Sequence, residues 1–156
     1  MDEITALIET YARGAPRLRA VLRPTTDSQW DATPIAGTWS IRQVVCHLAD
    51  SEIVYADRMK RVLAEGNPTL FDADPDLFVP ALHCSQRPWQ TELNLIEAVR
   101  NHMLPILRAC DLSDFQRTGV HSTAGSLTLR ALLERVTSHI PHHIAFIEQK
   151  LRAMMG

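Results

Sequence analysis

From Leu129 to Leu151 the apolar residues Leu129, Leu132, Leu133, Val136, Ile140, Ile147 and Leu151 recur every three or four positions. That spacing lays them along one face of an α-helix. The same period governs three other stretches, and no segment alternates as a half-buried strand does. A chain built this way can bury its apolar stripes only by packing helix on helix, so the expected fold class is all-α.

The first helical stretch runs from about Asp2 to Leu22, with Ile4, Leu7, Ile8, Tyr11, Leu18, Val21 and Leu22 at helical spacing. Gly14 and Pro16 interrupt it, giving one kinked helix or two short ones in line. Thr25 to Trp39 reads as loop, apart from a possible turn at Thr26–Trp30. Trp30 and Trp39 are expected to cover the bundle ends, with a place in a pocket wall as the alternative for Trp39. Ser40-Ile41-Arg42-Gln43 has the form of a capping box, and a strong helix follows to about Glu65, stopped by Gly66. The third helix is expected from Trp89 to Cys110. The last opens near Leu127–Leu129, with Ser126 or Thr128 as its cap, and runs to about Met154.

Between Asn67 and Arg87 there is no helical or strand period, and Pro68, Pro75 and Pro80 punctuate the stretch. Asp72, Asp74 and Asp76 alternate, but the glycine and terminal glutamate of a calcium loop are missing, so they read as a solvated loop. His83-Cys84 is isolated and reads the same way. A connection of this length allows helices two and three to run parallel in a four-helix bundle. The 156 residues, 46% of them hydrophobic, suffice for one core and one domain, 1–156.

Within the last helical stretch stands Ser138-His139-Ile140-Pro141-His142-His143. His139 and His143 are one turn apart on the same face, at the edge of the apolar stripe, while His142 points away. This is ligand spacing for a divalent metal. Pro141, between them, removes a backbone hydrogen bond in the helix interior, a cost of about 3 kcal/mol. His47, on the flank of the second helix, can meet the pair across the bundle, giving a three-histidine site with positions left open for water or substrate. No Glu-x-x-His occurs, which sets aside a carboxylate di-iron centre. Ser51 and Arg58 share the face of His47 and are candidate pocket groups, with a surface ion pair the leading expectation for Arg58; Glu52 and Tyr55 are expected elsewhere on that helix, Tyr55 being open to absorption in the bundle packing. His102 is expected at the surface.

Other classes are disfavoured by composition. A net charge of −2 gives no electrostatic case for nucleic acid or an anionic membrane. No stretch approaches the roughly 20 apolar residues that span a bilayer. Met1-Asp2-Glu3-Ile4 does not begin a secretory signal. Cys46, Cys84 and Cys110 form neither a disulfide framework nor a Cys-x-x-Cys motif. A cytoplasmic protein with reduced thiols is the expectation.

Thr38-Trp39-Ser40-Ile41-Arg42-Gln43-Val44-Val45-Cys46-His47-Leu48-Ala49-Asp50-Ser51-Glu52 resembles the opening of the second helix in the DinB/YfiT-like superfamily. Gly125-Ser126-Leu127-Thr128-Leu129-Arg130-Ala131-Leu132-Leu133, with His139-Ile140-Pro141-His142-His143-Ile144, resembles its closing helix. The resemblance implies a four-helix bundle of up-down-down-up topology that binds a divalent metal through His47, His139 and His143. It also implies a homodimer and a small-molecule substrate. Better understood relatives are thiol S-transferases and a mycothiol-dependent maleylpyruvate isomerase, so a low-molecular-weight thiol joins the metal as an implied cofactor. Zinc or nickel leads the expected metals, with iron and manganese also open. The expected activity is hydrolysis or S-transfer by a metal-activated water or thiol. No basic cluster suited to the carboxylates of a thiol cofactor stands out in the sequence. The rival reading is a non-catalytic stress-response interaction module whose metal site is structural or vestigial.

Overall fold

A computed structural model describes residues 2–155. Four long helices carry the chain: α1 (Glu3–Leu22), α3 (Ile41–Ala64), α5 (Trp89–Arg108) and α6 (Leu129–Met155). Two short helices, α2 (Asp27–Trp30) and α4 (Pro75–Ala81), lie in the connections. Among the described residues no helix is long and apolar enough to cross a membrane.

Local chemistry sets the helix starts. The Asp2 carboxylate accepts from the Thr5 amide at 2.8 Å. At α3, Ser40 Oγ accepts from the Gln43 N–H at 3.2 Å while Gln43 Oε1 accepts from the Ser40 N–H at 2.8 Å, the reciprocal box expected. Thr128 Oγ1 accepts from the Ala131 N–H at 3.0 Å and opens α6. α1 is continuous through Gly14 and Pro16, and α5 and α6 continue through Pro105 and Pro141. Tertiary burial of one face overrides the local breakers.

The expectation of no strand is corrected. β1 (Thr69–Leu70), β2 (Thr118–His121) and β3 (Gly125–Thr128) form a small sheet in that order. β1 runs parallel to β2, pairing Leu70 with His121; β2 and β3 are antiparallel, pairing His121 with Gly125. Strands of two and four residues are too short to show alternation in a sequence. Gly119 is needed for the close pairing: a Cβ there would stand 3.0 Å from Leu70 side-chain carbons and from the Pro68 carbonyl. The connection 67–87 is likewise not featureless. Asp74 caps α4 by accepting from the Asp76 N–H at 2.9 Å, and Pro75 fills its first turn.

α1 packs against α5 and α6, and α3 packs against the same two helices. Most of the core falls into two apolar clusters, beside a small third one of Cys46, Val79 and Cys84. One contains Ile8, Met59, Met103, Leu107, Leu133 and Val136; the other contains Leu18, Ile41, Leu48, Ile96, Ile140 and Ile147. Between them lies a buried polar layer. Arg100 donates to Glu52 at 2.9 Å through Nε, to the Tyr11 carbonyl at 2.6 Å and to the Val136 carbonyl at 3.0 Å. The two side chains are each 1% exposed. One guanidinium, carried by α5, therefore touches the other three long helices. Gly14 makes room for it, since a Cβ at that position would stand 2.1 Å from Arg100 Nη1. Glu52, expected off the His47 face, is the counter-ion of this layer.

Removing one partner of such a pair leaves an uncompensated buried charge, at a cost of about 3–5 kcal/mol. Arg100→Met is expected to lower stability in urea unfolding by that amount. Adding Glu52→Leu to it should recover much of the loss; strictly additive losses would contradict the coupling.

Candidate metal centre and its cleft

His47 sits in the second turn of α3, and His139 and His143 lie one turn apart in α6. Direct packing of α3 on α6 brings the three rings together. His47 Nε2 lies 3.0 Å and His143 Nε2 lies 3.1 Å from His139 Nε2. The ring centroids are 4.7–4.9 Å apart with steep interplanar angles, so edges meet instead of faces. A ring nitrogen presents one proton or one lone pair, never both. His139 Nε2 therefore cannot complete hydrogen bonds to both neighbours.

Burial, then the neighbouring histidines, pushes the pKa of His139 down to about 3 and that of His143 to about 4. Burial also lowers His47, with Asp50 and Asp76 opposing. All three are neutral near pH 7, which is the ligand form. Nδ1 of His139 and of His143 is buried with no hydrogen-bond partner among the described residues. Nitrogen donors about 2.0–2.1 Å from a tetrahedral zinc would stand about 3.4 Å apart, close to the observed spacing. The donor set fits a divalent ion of the borderline class served by imidazole.

Beside the cluster opens a cleft of about 260 Å³, lined in part by His47 and His139. Ser51, Tyr55 and Arg58 continue its α3 wall, and Arg135 lies one turn before His139 on α6. Arg58, expected in a surface ion pair, is instead 7% exposed. Its guanidinium donates to the Phe71 carbonyl and lies 5.3 Å from the Tyr55 ring centroid. The unexpected sheet explains the difference, because the chain leaving β1 covers this part of α3. Tyr55 also departs from expectation by lining the cleft.

His121 and Arg135 are cleft residues that the sequence did not single out. His121 Nδ1 lies 3.3 Å from the N–H groups of Thr123 and Ala124, which make it the acceptor. Its proton is thus assigned to Nε2, 3.8 Å from Asp72. Burial, then Arg58, lowers the His121 pKa. Trp39 packs on His47 with ring centroids 5.2 Å apart and does not line the cleft. Trp30 stacks on Trp89 at 4.2 Å. His83, His102 and His142 are exposed and outside the cluster. The connecting segment is held beside His47 by Arg87, whose two terminal nitrogens each contact Asp50 at 2.9 Å.

The histidine pKa values give stability a pH dependence of known sign. An unfolded imidazole takes up a proton below about pH 6.5, whereas His139 and His143 stay neutral to about pH 3 and 4. The unfolded chain then binds more protons, so stability falls as pH drops through that window. Chelator-treated protein is expected to lose urea resistance between about pH 7 and pH 5, and His139→Gln to lose less of it. Equal losses would contradict the assignment.

The family model for the DinB superfamily matches residues 10–147. A protein of Oceanobacillus iheyensis named "Putative metal-dependent hydrolase" is 31% identical over 121 residues, covering 78% of this chain and 70% of its own length. The structure of YfiT from Bacillus subtilis, described as "a probable metal-dependent hydrolase with an unusual four-helix bundle topology", superposes with a TM-score of 0.91 at 27% identity, over 99% of this chain and 90% of that one. The mycothiol-dependent maleylpyruvate isomerase shares the fold, with a TM-score of 0.74 at 10% identity, over 92% of this chain and 60% of that one. With the family model spanning most of its length, this chain belongs to the DinB superfamily.

Proposed function

We propose that the protein is a metal-dependent enzyme in which His47, His139 and His143 hold one divalent ion. It uses water or a low-molecular-weight thiol to attack a small molecule, by hydrolysis or by S-transfer. The carrying observation is the convergence of three neutral imidazole nitrogens, with two of the rings, His47 and His139, lining an open cleft. When bound, such an ion lowers the pKa of a coordinated water or thiol enough to supply a nucleophile near neutral pH. The relatives' names, metal-dependent hydrolases, support the first of the two reactions.

The chain's own groups divide the remaining tasks. His47 and His139 face the cleft, which leaves a side of the cluster accessible to substrate. Ser51 and Tyr55 offer hydroxyls on the α3 wall, and His121 offers an Nε2–H from β2. Trp39 covers His47 and restricts its ring. A non-catalytic module would need no such access, and the open cleft favours the enzyme. Contacts between helices support the up-down-down-up order: Lys150 near the end of α6 donates to Thr38 ahead of α3, Arg130 pairs with Glu3, and Arg108 pairs with Glu9.

Metal analysis of untagged protein is expected to find about one divalent ion per chain, as a single three-histidine site requires. His143→Ala should lose it, and with it any turnover in a panel of ester, amide and thiol-acceptor substrates. Protein that stays empty after incubation with zinc, nickel, iron and manganese would overturn the reading.

A further inference from the structure

The arginines of the cleft differ from the others near the site. Arg42, Arg87 and Arg100 are each committed to carboxylates, Asp31, Asp50 and Glu52 among them. Arg58 and Arg135 form no ion pair among the described residues. Arg58 is more than nine-tenths buried, and its Nε has no hydrogen-bond partner. Leaving a guanidinium nitrogen desolvated and unpaired is costly. Both side chains line the same cleft as His121, whose Nε2 carries its proton.

Cleft anions do not cancel them. Asp50 is already held by both terminal nitrogens of Arg87. Asp72 is half-exposed and lies 3.8 Å from His121 Nε2 without pairing with either arginine. Two cations thus line the cleft against one carboxylate that has no arginine partner. Arg135 precedes His139 by one helical turn, so their Cβ atoms stand about 5–6 Å apart. Arg58 lies eleven residues beyond His47 on α3, roughly 16 Å along the axis.

We propose that this cleft binds small molecules through a carboxylate, held by Arg58, Arg135 and the His121 Nε2–H. The reactive end of the ligand is thereby directed to the histidine cluster. The fate of that reactive end rests on the proposed metal chemistry; the binding itself does not. Charge-assisted N–H···O bonds from a planar guanidinium suit the two oxygens of a carboxylate. The carboxylate can belong to the substrate or to a thiol cofactor.

Calorimetric titration separates the outcomes, using succinate, succinamide, phosphate and glutathione as probes on metal-loaded protein. Succinate is expected to bind and succinamide not to. Arg135→Gln, at an exposed position that leaves the core untouched, should weaken succinate by about tenfold or more, the scale of one lost charge-assisted bond. Arg58→Gln should act in the same direction. His143→Ala should keep succinate binding even if it carries no metal, so failure of the metal reading stays distinguishable. Arginine-dependent glutathione binding tighter than succinate assigns the carboxylate to a thiol cofactor; the reverse order assigns it to the substrate. Equal binding of succinate and succinamide, a preference for phosphate, or binding indifferent to both arginine substitutions would overturn the proposal. So would binding lost in His143→Ala and retained in Arg135→Gln, which would place the carboxylate on the metal.

Discussion

The guanidinium of Arg100 sits where the two large apolar clusters of the bundle meet, and from α5 it reaches the other three long helices. Glu52 on α3, the Tyr11 carbonyl on α1 and the Val136 carbonyl on α6 all accept from it. Apolar packing is tolerant of small slides between helices, but a buried charge with directional partners is not. Glu52 lies five residues after His47, and Val136 lies three before His139. Holding Glu52 and Val136 level therefore holds the two halves of the histidine cluster level. Tyr11 completes the layer; its hydroxyl lies 3.5 Å from Glu52, and burial and that carboxylate raise its pKa, keeping the phenol protonated.

The polar groups around the cleft follow the same economy. The cations that serve the fold are paired, as buried Arg100 and half-buried Arg87 are, whereas buried Arg58 lines the cleft without an ion pair. The histidines are neutral because burial and mutual repulsion exclude protons. Neutral nitrogens at one end of the cleft and guanidinium groups along its walls give it chemically distinct regions. The small sheet forms part of this arrangement, since β2 carries His121 and the chain after β1 accepts the Arg58 contact.

Much of the fold was legible because it rests on long periodic signals. Helical spacing and the Ser40–Gln43 box placed α3 to within a residue, and i, i+4 spacing placed His139 beside His143. What escaped depends on short or distant determinants. Strands of two and four residues carry no periodic signature, and without them Arg58 looked like an ordinary exposed helix position. The burial of Glu52 carried no sequence signal, because its partner Arg100 stands 48 residues away. His121 had no partner at ligand spacing; only the turn after β2 gives its ring an orientation. Asp74-Pro75 did carry a helix-start signal, cap followed by N-terminal proline, within the stretch read as loop.

The most direct test of the account is anomalous diffraction from crystals of the protein soaked with zinc. It predicts one strong peak within about 2.0–2.1 Å of Nε2 of His47, His139 and His143, with the remaining coordination position facing the cleft. A peak held by other residues, or a histidine cluster that stays free of metal at saturating zinc, would contradict it.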